Sequence, residues 1–210
     1  HALSVFPEIV LAKELDEGMR VLVQAHSIGP LKSNTVVFGW PRTVERAVPF
    51  FRHLQDCSRL GKSVVAVVDR GLPERHKALR RIDIWWRGQA NGSLMVILAH
   101  LLTQNMDWRH ARMRILRIIR DDTGREEAHQ ALEQLVHGAR VDADVAIIVS
   151  TKGIGDTLGE HSGDADVVFL GLELADEGTA PEAYQRYESA VSALPTTLLV
   201  HSSGDADVLQ

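Results

Sequence analysis

One segment of this sequence arranges glycines as a ligand-binding turn does. It is Gly153-Ile154-Gly155, followed by Gly159, just after an apolar run that ends near Thr151. Glycines at a strand-to-helix turn let a helix N-terminus approach a phosphate. The dinucleotide fingerprint needs a further glycine where Leu158 stands, and Asp156 sets a negative charge against any phosphate. A plain flexible loop is the simpler reading of 153–159. There is no Gly-x-x-x-x-Gly-Lys-Ser/Thr, which excludes a P-loop. The ten histidines form no His-x-x-x-His pair and no His-Glu-x-x-His, and His53, His100 and His129 fall within helical patterns. Asp164/Asp166 and Asp205/Asp207 are carboxylate pairs able to meet a hard cation, though solvated loop carboxylates are far more common. Cys57 lies mid-helix with Arg59 as its only activating neighbour, and no Gly-x-Ser-x-Gly elbow occurs. No catalytic residue, cofactor-binding residue or metal ligand is therefore assigned, and the chain is not expected to be an enzyme.

The elements around these residues alternate between strand and helix, the pattern of an α/β fold with a mostly parallel sheet flanked by helices. Ile9–Ala12, Thr35–Trp40 and Ser63–Val68 read as strands. Leu15, Met19, Leu22, Val23 and His26 recur at helical spacing, and Gly29-Pro30 stops that helix. Thr43 is placed to cap a second helix bearing Val44, Ala47, Phe51 and Leu54, which Pro49 should kink or split. The charged stretch Asp69–Arg81, with Gly71 and Pro73, reads as a linker, with room for a short helix of its own.

The theme then restarts. Strand Ile82–Trp86 leads through Gly88-Gln89-Ala90-Asn91-Gly92 to the helix Ser93–Leu102, and strand Met113–Ile119 follows. Thr123–Glu126 and Thr179–Glu182 have capping-box spacing, the second with Pro181 in the first turn. Ala146–Val149, Val167–Leu170 and Leu198–Val200 are continuous apolar runs, as expected of strands covered by helices on both faces. Trp85 and Trp86 should point to opposite faces of their strand, each packed within the domain. The first half has fewer elements than the second, which suggests a further strand and helix upstream.

At 210 residues with 45% apolar composition, the chain can bury a sizeable core. Its longest apolar run falls far short of the ~20 residues of a membrane span, and no signal peptide is visible. A single cysteine suits a reducing compartment. Net charge is -5, unevenly spread: residues 141–210 carry 13 Asp/Glu against 2 Lys/Arg, a balance of -11 that leaves +6 for the remainder. Two solvated faces of opposite sign explain this most simply. A basic region facing a lipid surface or an acidic partner is the alternative, and nucleic acid is not expected as a partner.

Five segments in order resemble the cytosolic C-terminal domain of the cation-chloride cotransporters. Asn34–Trp40 is similar to the family's Asn-Thr-Leu-Val-Leu-Gly-Phe, after a Gly-Pro-Leu-Lys turn at 29–32. Ile82–Trp86 followed by Gly92-Ser93-Leu94 is similar to its Ile-Asp-Val-Trp-Trp and Gly-Gly-Leu. Trp108-Arg109, then His161-Ser162 with Ala165–Val168, then Leu194–Val200 complete the series. One departure stands out: animal members carry a long polar insertion where only Lys152–Glu160 remains, which suggests a prokaryotic member without the phosphorylation sites of that insertion.

The resemblance implies two universal-stress-protein-like (Rossmann-like) units, here 1–75 and 82–210, with a break between Asp69 and Ile82. It implies a homodimer on the cytoplasmic side of the cell membrane, joined to the transporter's own transmembrane domain and near the inner membrane surface. The function it implies is regulation and dimerisation of a transporter that moves chloride with sodium and/or potassium. The alternative is a free-standing universal-stress-protein-like ATP-binding protein, for which Gly153-Ile154-Gly155 is a poor phosphate loop. ATP binding is accordingly expected to be weak or absent.

Overall fold

The computed structural model describes residues 7–28, 31–72 and 79–204. The elements in order are α1 (Leu15–Ala25), the two-residue strands β1 (Ser27–Ile28) and β2 (Leu31–Lys32), β3 (Thr35–Gly39), α2 (Ala47–Arg59) and β4 (Ser63–Val68). Then come β5 (Arg81–Trp85), α3 (Gln89–Thr103), β6 (Arg112–Ile119), α4 (Arg125–Ala139), β7 (Asp144–Val149) and α5 (Ile154–Ser162). Last are β8 (Val167–Gly171), α6 (Ala180–Val191) and β9 (Thr197–His201). Seven strands form one sheet in the order β3-β4-β9-β8-β5-β6-β7. Five of its six pairings are parallel, and β4–β9 alone is antiparallel. Strand direction thus reverses between the strands supplied by 1–75 and those supplied by 82–210. The mixed α/β sheet with flanking helices is the architecture that the alternating pattern called for. The middle of the linker, 73–78, lies outside the described residues, as do the Gly29-Pro30 stop and the Asp205/Asp207 pair.

Helices cover both faces of the sheet. On one face Trp85 of β5 shares a core with Phe51 and Leu54 of α2 and with Leu158, Tyr184 and Val191 of α5 and α6. Trp86, Ile82 and Ile84 of the other face pack with Met95 of α3 and Leu132 of α4. The two adjacent tryptophans are 5% and 6% exposed, so strand alternation sends one into each core. Val167–Leu170 of β8 is buried throughout, as its apolar run requires. β7 carries an equally apolar run, yet Val149 is 40% exposed, because β7 is an edge strand and only half covered.

Five local expectations are corrected. Residues 9–12 form no strand: Ile9 and Leu11 stand in solvent and pair with nothing among the described residues. Pro49 does not kink α2; it is the third residue of that helix, where its absent N–H has no intrahelical partner to lose. The irregularity precedes it, as a 3-10 turn at Val44–Arg46 for which Thr43 makes no side-chain cap. Thr123 does not cap either. Asp121, two residues upstream, accepts from the Thr123 backbone N–H at 3.0 Å. At α6 the Thr179 hydroxyl turns back to donate to the Asp176 carbonyl.

Candidate functional site

Two of the sequence segments that carry the family resemblance, 82–86 and 161–168, meet in space. Strand alternation puts Arg81, Asp83 and Trp85 on one face of β5, below α5. The last residue of α5, Ser162, donates from its hydroxyl to Asp83 Oδ2 at 2.7 Å and accepts from Trp85 Nε1 at 3.0 Å. In register beside Asp83 stands Arg114 of β6, whose Nε and Nη2 grip both carboxylate oxygens at 2.8 and 2.6 Å. Arg114 also donates to the carbonyl of His161 at 2.8 Å. At the head of the strand, the Arg81 N–H donates to Asp166 Oδ2 at 2.7 Å, and the Asp166 N–H returns to the Arg81 carbonyl at 2.9 Å. The Arg81 side chain pairs with Asp164. That guanidinium holds the Asp164 carboxyl below its ordinary pKa, chiefly through the hydrogen bond.

This constellation holds the sheet to α5. Asp83 and Ser162 are both fully buried, and the Ser162 hydroxyl is enclosed between a carboxylate and an indole. A nucleophile needs a path to substrate, and a buried charge needs a partner, which Arg114 supplies. Asp164 and Asp166 belong to the same clamp.

The Gly153–Gly159 segment is not a loop. It opens helix α5, and Gly155 and Gly159 face α6 and the turn just after it. A Cβ on Gly155 would stand 3.0 Å from the Ser189 carbonyl oxygen, and one on Gly159 would stand 2.9 Å from the Ala193 Cβ. A Cβ on Gly163, just past the helix, would stand 2.6 Å from the Gly159 carbonyl oxygen of α5 itself and 3.4 Å from the Ala193 carbonyl oxygen. Glycine every fourth residue permits close helix–helix approach, which is a packing reason for a spacing that looks like ligand chemistry.

Elsewhere the candidates have ordinary partners. Burial pushes the Cys57 thiol up to about 11, which leaves it unreactive at neutral pH. His53 is buried against Asp16 at 3.1 Å, His100 meets Gln104, and His129 pairs with Glu133. Among the described residues no group of three or more His, Cys, Asp or Glu could hold a metal ion. No helix among them is long and apolar enough to cross a membrane.

A crevice of about 910 Å³ opens at the carboxyl ends of β5, β6, β7 and β8. This edge is where doubly wound sheets take their ligands. Trp85, Ile119, Ile154, Leu170 and Tyr187 supply apolar walls. Arg87, Arg117, Arg120, Lys152 and Arg186 also line it, against the single carboxylate of Glu173. Arg87 and Arg186 reach that carboxylate at 3.4 and 3.7 Å, and Lys152 pairs with Glu160. Asp156 does not line the crevice. The sequence reading missed this cluster, since its members come from separate elements. A signal existed: Arg87, Arg120 and Lys152 each follow the end of a parallel strand by one to three residues.

No family model matches the chain. Its sequence is similar to two proteins of Oryza sativa subsp. japonica. Cation-chloride cotransporter 2 is 29% identical over 194 residues, or 88% of this chain and 18% of that protein. Cation-chloride cotransporter 1 is 29% identical over 151 residues, or 67% of this chain and 15% of that protein. The chain thus spans less than a fifth of the length of the curated relatives it matches. Among solved structures it is similar to the cytoplasmic domain of a prokaryotic cation chloride cotransporter, with a TM-score of 0.63 and 15% identity over 94% of this chain and 73% of that one. In sequence, then, this chain is similar to cation-chloride cotransporters over most of its length, and its fold is that of the cytoplasmic domain of one of them.

Proposed function

We propose that this chain is the cytosolic regulatory and dimerisation domain of a membrane cation-chloride cotransporter, whose membrane part carries chloride with sodium and/or potassium. The observation that carries this reading is the Asp83–Ser162–Trp85 junction. It ties together two of the five segments that resemble the family, in a chain whose fold is that of a cotransporter's cytoplasmic domain. In this reading the domain catalyses nothing, its partners are a second copy and the transporter's transmembrane domain, and 1–75 and 82–210 act as two subdomains.

Charge alone does not hold such a dimer. Much of the complementarity between the basic and acidic parts of the sequence is used inside the chain, by Arg52–Glu177 at 2.7 Å, Arg112–Asp144 at 2.5 Å and Arg81–Asp164. Exposed pairs contribute under about 1 kcal/mol each. A dimer must therefore bury apolar surface, and the membrane part would raise the local concentration. The gene sequence directly upstream tests the transporter reading. About a dozen apolar segments of spanning length are expected there, and their absence returns the free-standing ATP-binding alternative. Light scattering across a concentration series tests dimerisation, and a strict monomer at high concentration counts against it. Added salt should leave an apolar interface intact.

A further inference from the structure

We propose that the crevice at the carboxyl edge of β5–β8 is a binding site for a small phosphate-bearing molecule with an apolar or aromatic body. This inference does not depend on the transporter reading. It stands on three observations.

The first is charge. Five cationic side chains converge on the crevice against one lining carboxylate, in a chain whose net charge is -5. The second is the state of two of them. Arg117, half-buried, and Arg120 make no ion pair or side-chain hydrogen bond among the described residues. Arg87 and Arg186 share a single partner, Glu173. Guanidinium groups present a planar fork that matches phosphate oxygens two at a time. The third is size and lining. About 910 Å³ is far more than a bare ion fills, and it lies at the large end of small-molecule sites. The walls from Trp85, Ile119, Ile154, Leu170 and Tyr187 suit an apolar body beneath a charged head.

Side-chain cations here do the work that a glycine-rich backbone cradle does in nucleotide folds. The missing phosphate loop therefore does not empty the site. Gly155 is a poor probe of it, because a larger residue there strikes α6.

Calorimetric titration of the chain with 1-naphthyl phosphate and with inorganic phosphate tests the proposal. Naphthyl phosphate should bind saturably, about tenfold or more tighter than inorganic phosphate because its rings bury apolar area. Arg117→Ala combined with Arg120→Ala should weaken it about tenfold or more, and the affinity should fall as salt is raised. Neither arginine has an ion pair or side-chain hydrogen bond among the described residues, so the double variant should unfold at the wild-type urea concentration. Arg59→Ala, remote on α2, should bind as the parent does. Naphthyl phosphate that does not saturate, that binds no tighter than inorganic phosphate, or that binds the double variant unchanged, overturns the assignment.

Discussion

The hydroxyl of Ser162, at the end of α5, donates to the carboxylate of Asp83, in the interior strand β5, at 2.7 Å. The two residues are 79 positions apart, and both are fully buried. The same hydroxyl accepts from Trp85, so one small side chain satisfies a carboxylate and an indole together. A histidine-serine pair and an Asp-Val-Trp-Trp-like strand, read in sequence as two separate marks of a family, are two sides of one junction.

Ser162→Ala should leave the Trp85 N–H unsatisfied and the Asp83 carboxylate one donor short. Urea unfolding should show a loss of about 1–3 kcal/mol. Asp83→Ala should cost more, about 3–5 kcal/mol, since it strands the Arg114 guanidinium beside an apolar core. Near-equal losses from the two variants would mean that the ion pair is not the stronger member of the junction.

Gly92 lies under the Trp86 ring. A Cβ there would stand 2.2 Å from the nearest ring carbon, and an indole packed in a core has little room to retreat. Gly92→Ala should destabilise by about 1–3 kcal/mol, despite alanine's helix preference. Gly88, at the helix N-cap in extended backbone with open space around it, should accept alanine within about 0.5 kcal/mol. Thermal unfolding of both variants in parallel separates the two sites.

Gly155→Ala and Gly159→Ala test the packing of α5 on α6. Alanine raises helix propensity by about 1 kcal/mol, so an open site would gain stability. The contacts at 3.0 and 2.9 Å predict a loss instead, larger in the double variant. A gain in either single variant would show that the helices do not approach closely at that glycine.

His201, at the end of β9, has its pKa lowered below the ordinary 6.5, mainly by burial, which disfavours the charged ring. The unfolded chain therefore takes up this proton first as pH falls. The neutral ring's contribution is complete above pH 6.5 and is lost progressively below it. Stability measured from pH 7.5 to pH 5 should fall less steeply in His201→Gln than in the parent. Parallel curves would remove His201 from the acid sensitivity.

The sequence by itself determined the local elements whose cause is local. Ser63–Val68 and Thr197–His201 are strands because their apolar runs fit a two-sided core, and α4 follows its helical spacing of Ala128, Leu132 and Leu135. The split of Trp85 and Trp86 between two faces follows from strand alternation alone. What the tertiary structure decided are matters of neighbourhood. Gly155 and Gly159 are consistent with either a ligand turn or a tight helix contact until α6 is known to lie against them. Ile9–Ala12 is apolar enough for a strand but finds no partner among the described residues. Val145–Val149 and Val167–Leu170 are equally apolar, and only their places at the edge and in the interior separate them. The crevice shows as no single motif, because Arg87, Arg117, Lys152 and Arg186 lie far apart in sequence and only the cations just after strand ends hint at it. Parallel strands gather their carboxyl ends along one edge of the sheet, and that geometry turns scattered cations into a site.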